Sequence, residues 1–290
     1  MESSSITILG GDFRQCYVAE YLCSQGWQVG CFHTPDFPFS ADIRNVDCLS
    51  DALEQADLIL APTPLTQDGV HLFQSKGAHP SCTLHDLWKE LTPQHTFAAF
   101  QLSEEHQKLL EHSGCRTLSF GKSPAFIIEN ALLTAEGLLA EVIRCTPFSL
   151  SSANVLLLGF GYCGSSIGKL FHPLCRSICL VEQDKVKQQL AENHGICPID
   201  LEDFSQVLPQ CQIVINTIPG PVLEPSLLHK LHSSCHLFDI ASAPYGFPAD
   251  TTQNCLLPYY RISGIPGRFS PITAGEIIGR TIERMTEHVV

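Results

Sequence analysis

The sequence predicts an α/β protein made of two doubly wound parallel sheets in series. Three observations carry that prediction. Short apolar runs alternate with helix-patterned segments twice over, once in residues 1 to about 120 and again from 154 to about 262. Each half opens on a strand, a glycine turn and a helix, at Gly10-Gly11-Asp12 and again at Gly159, Gly161 and Gly164. Between the halves, residues 131–145 place apolar side chains at helical period, and Pro147 follows the end.

In the first half, residues 5–9 form an apolar strand and 13–25 a helix, with Gly26 as its C′ residue. Residues 27–32 predict a second strand, 49–55 a helix, and 57–61 a third strand closed by Pro62-Thr63-Pro64. A helix over 84–91 takes Thr83 as its N-cap, and 96–100 is a fourth strand. Ser103 starts the next helix, with Glu104 and Glu105 opposing the dipole in its first turn; it stops near Gly114, before a fifth strand over 116–120. The polar, glycine-bearing stretch 66–81 is expected to be a surface loop. In the second half the pattern predicts strands at 155–158, 178–181, near Ile196, at 213–216, 236–240 and near 255–257. Helices fall at 162–170, 185–193, 201–208 and 225–231. Residues 261–271 are expected to be a glycine- and proline-rich loop, and 273–287 a final helix.

The chain has 290 residues, 44% hydrophobic, enough for two domains with real cores. Its formal charge of −13 opposes nucleic acid and anionic membrane surfaces, so any anionic ligand needs locally placed cations. There is no basic leader before an apolar run and no stretch long enough to span a bilayer, so a cytoplasmic location is expected. Fourteen cysteines are scattered without a C-x-x-C pair, as buried small hydrophobes are. His229, His232, Cys235 and His236 straddle a helix end and a strand, which aims them apart, and no metal site is expected.

The second glycine turn, LGFGYCG at 158–164, has the context of a dinucleotide fingerprint. Gly159 makes the tight turn, Gly161 admits a pyrophosphate, Gly164 lets helix and strand pack, and the helix N-terminus faces the phosphates. Phe160, Tyr162 and Cys163 complete the turn, and a thiol at a helix N-terminus can have a lowered pKa. Glu182, 18 residues past Gly164, is placed to accept the ribose 2′-hydroxyl, which leans toward NAD over NADP; Gln183 and nearby lysines pull the other way. Thr217, Ile218 and Pro219, and then Asp239 and Ala241, follow later strands and are expected to line the groove. Arg14 is the candidate carboxylate clamp, since a guanidinium binds carboxylate bidentately, with Asp12 as base, as the residue that orients Arg14, or as helix N-cap. Asn130, Thr134 and Glu136 on the middle helix are candidate substrate contacts, and Arg268 a second cation.

Six segments occur in the order and spacing of one family: GGDFR at 10–14, ENALLTAEG at 129–137, LGFGYCG at 158–164, NTIPG at 216–220, DIASAP at 239–244 and GIPGRFSPITAGEI at 264–277. The chain resembles the dipicolinate synthase A subunit over nearly its whole length. That resemblance implies NAD(P)-dependent oxidation of dihydrodipicolinate, a small dicarboxylate, to dipicolinate. It also implies a partner, a second and flavoprotein-like subunit, together with a place in the mother cell of a spore former. It further implies the two-domain plan of 2-hydroxyacid dehydrogenases: an N-terminal flavodoxin-like domain, residues 1–133 joined by helix 273–290, and a C-terminal NAD(P)-binding Rossmann domain, residues 134–272. A homo-oligomer is expected. Where the family has a proline before T-A-E-G and a lysine before T-A-G, this chain has Leu133 and Ile272. Lys122-Ser123-Pro124-Ala125 replaces an arginine and acid cluster, and the strand before Glu182-Gln183 lacks the family's small and basic ending. A non-catalytic nucleotide-binding subunit, and a dehydrogenase for another small hydroxy or amino acid, are the alternatives.

Overall fold

The structure is a computed structural model that describes residues 4–54, 56–75, 81–200, 203–223, 225–247 and 257–287. It divides into two compact units: residues 1–130 with 270–290, and residues 131–269.

In the first unit, strands β1 (Ser5–Leu9), β2 (Gln28–Phe32), β3 (Arg44–Val46), β4 (Leu58–Leu60), β5 (Thr96–Ala99) and β6 (Arg116–Ser119) form one parallel sheet in the order β3-β2-β1-β4-β5-β6. The central strands are buried along nearly their whole length, as a parallel sheet covered on both faces requires. Helices α1 (Phe13–Ser24), α2 (Leu49–Glu54), α3 (Leu84–Glu90) and α4 (Glu104–Ser113) connect them. Thr83 caps α3 through the amide of Asp86, Ser103 caps α4 through that of His106, and Gly114 ends α4 at φ +73°. Leu9, Phe32, Ile59, Phe97, Leu87 and Leu110 meet in the core between the sheet and helices α2 to α4.

The five strands expected here are six. β3 is a three-residue edge strand with Arg44 and Asn45 exposed, so it has no apolar run to announce it. The expected loop 66–81 is partly structured over its described residues. Its chain pairs with itself at Thr66 and Leu72, and Ser75 and Phe73 bond the backbone of Gly11.

Helix α5 (Pro124–Cys145) starts seven residues before the periodic stretch and runs from the first unit into the second. Pro124 at its first position is the start signal, because its missing N–H would be unpaired there in any helix. The second sheet contains β7 (Asn154–Leu158), β8 (Ser177–Val181), β9 (Cys197–Pro198), β10 (Ile213–Asn216), β11 (His236–Asp239) and β12 (Tyr259–Arg261), all parallel, in the order β12-β11-β10-β7-β8-β9. Helices α6 (Tyr162–Phe171), α7 (Lys185–Glu192), α8 (Phe204–Val207) and α9 (Pro225–Leu228) flank it. On one face Leu138 and Val142 of α5 pack with Leu157, Ile167, Ile215 and Phe238; on the other, Leu156, Val214 and Leu237 pack with Leu223 and Phe247. Residues 201 and 202 of the expected helix 201–208 lie outside the described residues, as do 255 and 256 of the strand expected near 255–257; the last strand is Tyr259–Arg261. The expected loop over 261–271 contains helix α10 (Ile265–Phe269), and α11 (Pro271–Glu287) follows it into the first unit. There α11 lies on α1: a side chain on Gly275 would come within 2.7 Å of the Arg14 carbonyl, and the Tyr21 hydroxyl donates to Glu283 at 2.8 Å.

Candidate nucleotide site and the arginine turn

An open parallel sheet binds ligands beyond the carboxyl ends of its strands, where strand order reverses. In the second unit that point lies between β7 and β10, and in the first between β1 and β4.

Beyond β7 the chain turns at Gly159 with φ +90°, a conformation that disfavours any side chain, and one here would meet Thr217 Oγ1 and Ile218 Cγ1 at 2.7 Å. Gly164 packs so closely that a Cβ would run into the Gly159 carbonyl. Gly161 differs, since a Cβ there would meet nothing within 4 Å. Gly161 is also the N-cap of α6, and no side chain caps that helix. The first-turn amides therefore face open space with the positive end of the helix dipole behind them. Glu182, at the end of β8, reaches into this turn: its carboxylate accepts from the amide of Phe160 at 2.9 Å, from Gln183 at 2.8 Å and from Asp184 at 3.1 Å. Burial pushes the Glu182 pKa up, but the amides of Asp184, Phe160 and Gln183, with Lys187 nearby, outweigh it and hold the carboxyl below its ordinary range.

Thr217 braces the turn by donating to the Leu158 carbonyl at 2.9 Å, with Ile218 against Gly159. Tyr162 is exposed at the helix start, and Gln183 and Pro219 are exposed beside the turn. Phe160 contributes its amide alone, because its ring is 2% exposed and packs in the core. At Cys163 burial raises the thiol pKa, and a hydrogen bond with Thr134 offsets only part of that rise, so the side chain stands there as a plain small group rather than an activated thiolate.

Asp239, in the turn expected to offer backbone amides to the groove, is fully buried, and its carboxylate is held by Asn216 Nδ2 at 2.9 Å and by the amides of Ala241 at 3.2 Å and Gly246 at 3.0 Å. Asp239 thus shapes the loop after β11 from beneath and offers no side-chain contact to a ligand. Sequence reasoning misses the role of its partner Asn216, although both stand in register at the ends of adjacent apolar strands.

In the first unit, Asp12 caps α1 by accepting from the Arg14 amide at 3.0 Å. Its carboxylate also grips the Arg14 guanidinium, from Nε at 2.9 Å and Nη2 at 2.7 Å, while Nη2 donates to the Thr63 carbonyl at 2.6 Å. Arg14 is 6% exposed, a buried cation rather than a surface arginine. Asn130 is half-buried on α5, Thr134 is buried and bonded with Cys163, and Glu136 is exposed. Arg268 sits on α10 and donates to Glu141 Oε1 at 2.7 Å, while Arg144 takes Oε2. The Glu141 side chain is 5% exposed and is paired with both cations, and the Arg268 side chain stays half-exposed. A separate cavity of about 220 Å³ beside Trp27, Asp57 and Arg116 lies at the amino ends of the first sheet's strands, the wrong end for such a site. Among the described residues, no group of three or more side chains could hold a metal ion, and no helix is long and apolar enough to cross a membrane.

Residues 5–120 match the family model of the N-terminal domain of the dipicolinate synthase A subunit. The similarity to the dipicolinate synthase A subunit runs on through the second unit. The Bacillus subtilis (strain 168) protein of that name is 23% identical over 289 residues, 98% of this chain and 96% of the relative. The crystal structure of the dipicolinate synthase A subunit from Bacillus halodurans superposes with a TM-score of 0.88 at 21% identity, over 97% of each chain. D-lactate dehydrogenase from Escherichia coli shares the architecture at a TM-score of 0.62 and 8% identity, over 97% of this chain and 96% of that one. The two-sheet plan expected from the sequence is thus the dehydrogenase-like fold of dipicolinate synthase A.

Proposed function

We propose that the chain is the oxidoreductase subunit of a dipicolinate synthase, taking dihydrodipicolinate to dipicolinate with a nicotinamide dinucleotide. The observation that carries this reading is the uncapped, unobstructed first turn of α6 at the reversal between β7 and β10. The residues present fit such a cofactor: the amides after Gly161 would hold the diphosphate, and Glu182 the adenosine ribose. Glu182 favours NAD, because a 2′-phosphate would meet a carboxylate kept ionised, although Lys187 Nζ stands 3.9 Å from it. The bound nicotinamide would accept the hydride, and aromatisation of the ring drives the loss of its proton. In the first unit Arg14 would hold a substrate carboxylate, with Asp12 fixing the guanidinium in place rather than acting as the base. Asn130 and Glu136 remain candidate substrate contacts on α5. The partner would be a second, flavoprotein-like subunit, and the setting the cytoplasm of a sporulating mother cell.

A non-catalytic nucleotide-binding subunit is the second reading, favoured by the pairing of Arg268 with Glu141. The purified chain, with and without its partner subunit, should reduce NAD+ or NADP+ when given dihydrodipicolinate, seen as the near-ultraviolet absorbance of the reduced cofactor. Nucleotide binding by calorimetry without turnover under every combination would select the second reading.

A further inference from the structure

The loops leaving β1 and β4 carry buried polar groups that play no part in the nucleotide site. Gln15 is 1% exposed, and among the described residues neither the nitrogen nor the oxygen of its amide has a hydrogen-bond partner. The buried hydroxyl of Thr63 has none either. A glutamine three residues past an N-cap can reach back to the N-cap amide, yet Gln15 stands in that place behind Asp12 without doing so. Each buried donor or acceptor left unmet costs about 1–3 kcal/mol, so three of them in one region call for an explanation.

They follow the two strands that flank the strand-order reversal of the first sheet. Gln15 follows the β1 turn, its amide lying 2.6 Å from where a side chain on Gly11 would begin. Thr63 follows β4, and its carbonyl holds Arg14 Nη2. β1 and β4 are the neighbours between which ligands of such sheets bind. Arg14, next to Gln15 in the chain and bonded to the Thr63 carbonyl, is a buried cation.

We propose that Gln15 and Thr63, beside Arg14, are binding residues for the organic acid on which the protein acts, and that this acid is a carboxylate with an N–H or O–H on the adjoining carbon. A carboxylate supplies acceptors only, which serve the Gln15 Nε2, the Thr63 hydroxyl and the Arg14 charge. Gln15 Oε1 requires a donor, which a ring N–H, an amino group or a hydroxyl beside the carboxylate provides. A phosphate dianion leaves Oε1 unmet and sets two negative charges beside Asp12, where a carboxylate sets one. The proposal deepens the dehydrogenase reading and rests on it for an organic acid as occupant.

Gln15→Leu removes the amide at similar volume, and Thr63→Val replaces the hydroxyl with a methyl. In the full chain both variants should keep or raise the thermal midpoint, since each deletes an unmet buried group. Calorimetric titration with pyridine-2,6-dicarboxylate, pyridine-2-carboxylate and L-alanine should show binding of at least one by the wild type, weakened roughly tenfold or more in each variant. Affinity for nicotinamide dinucleotide should stay within about twofold in both. Acid binding equal in wild type and variants overturns the proposal. So does a wild type that takes up none of the three acids at millimolar concentration; if nucleotide still binds, the dehydrogenase reading survives that result. Acid binding that follows this pattern in a chain that binds no nucleotide upholds the proposal and defeats the dehydrogenase reading instead.

Discussion

The two halves of the chain begin alike and end in opposite chemistry. Each runs a buried strand into glycines and then a helix, yet the helix after β1 is capped by its own aspartate and the helix after β7 has no side-chain cap. At the first, Asp12 caps α1, Arg14 lies on Asp12, and the Gly11 amide is taken by the Phe73 carbonyl at 2.7 Å. A Cβ on Gly10 would come within 2.5 Å of that same carbonyl. At the second, the carboxylate stands on the neighbouring strand as Glu182, and the N-cap is a glycine with space around it. What separates an anion cradle from a side-chain pocket on the same scaffold is therefore where the acid sits: on the helix's own cap, it consumes the dipole end; one strand away, it leaves that end open.

The comparison breaks most sharply at Gly161. Gly161→Asp gives the second turn the cap of the first without a clash, because its Cβ enters open space at φ −72°. Nucleotide affinity should fall by about a hundredfold, near 3 kcal/mol, while the thermal midpoint holds or rises. Unchanged affinity by fluorescence titration would remove the cradle from the account. Next come the close glycines. Gly164→Ala forces a methyl into the Gly159 carbonyl and Gly10→Ala forces one toward the Phe73 carbonyl, so each should lose about 2 kcal/mol in denaturant unfolding. Only Gly164→Ala should also weaken nucleotide binding. The smallest effect belongs to Glu182. Its folded pKa lies below its ordinary value of 4.5, so its contribution to stability is complete above that value and disappears as pH falls through the lower, folded one. Glu182→Gln should flatten the acid limb of a stability profile taken from about pH 6 to about pH 3. A limb as steep as the wild type's would show that the three amides do not hold the charge.

Features that act within a few residues of one another are legible in the amino-acid sequence. The β7 turn is one, since its glycines encode sterics between neighbours; the caps Thr83, Ser103 and Gly114 are others. Where composition and geometry part, the pattern misleads. Residues 261–271 have the composition of a loop, but Pro266 sits in the first turn of α10, where proline is compatible with a helix. β3 has no apolar pattern because an edge strand with two exposed residues needs none. At the candidate sites the hidden facts are long-range ones. Glu141 and Arg268 are 127 residues apart, and Arg14 and Thr63 are 49 apart, so neither the capture of one cation nor the setting of the other is written locally.

The return of α11 to the first unit has a consequence for synthesis. Residues 131–269 are contiguous and emerge whole, whereas the unit that starts the chain lacks the helix that covers α1 until Pro271–Glu287 has been made. A chain cut before Pro271 therefore leaves Tyr17, Tyr21 and the back of the first helix bare, so truncation at the far end of the sequence destabilises the unit at its beginning.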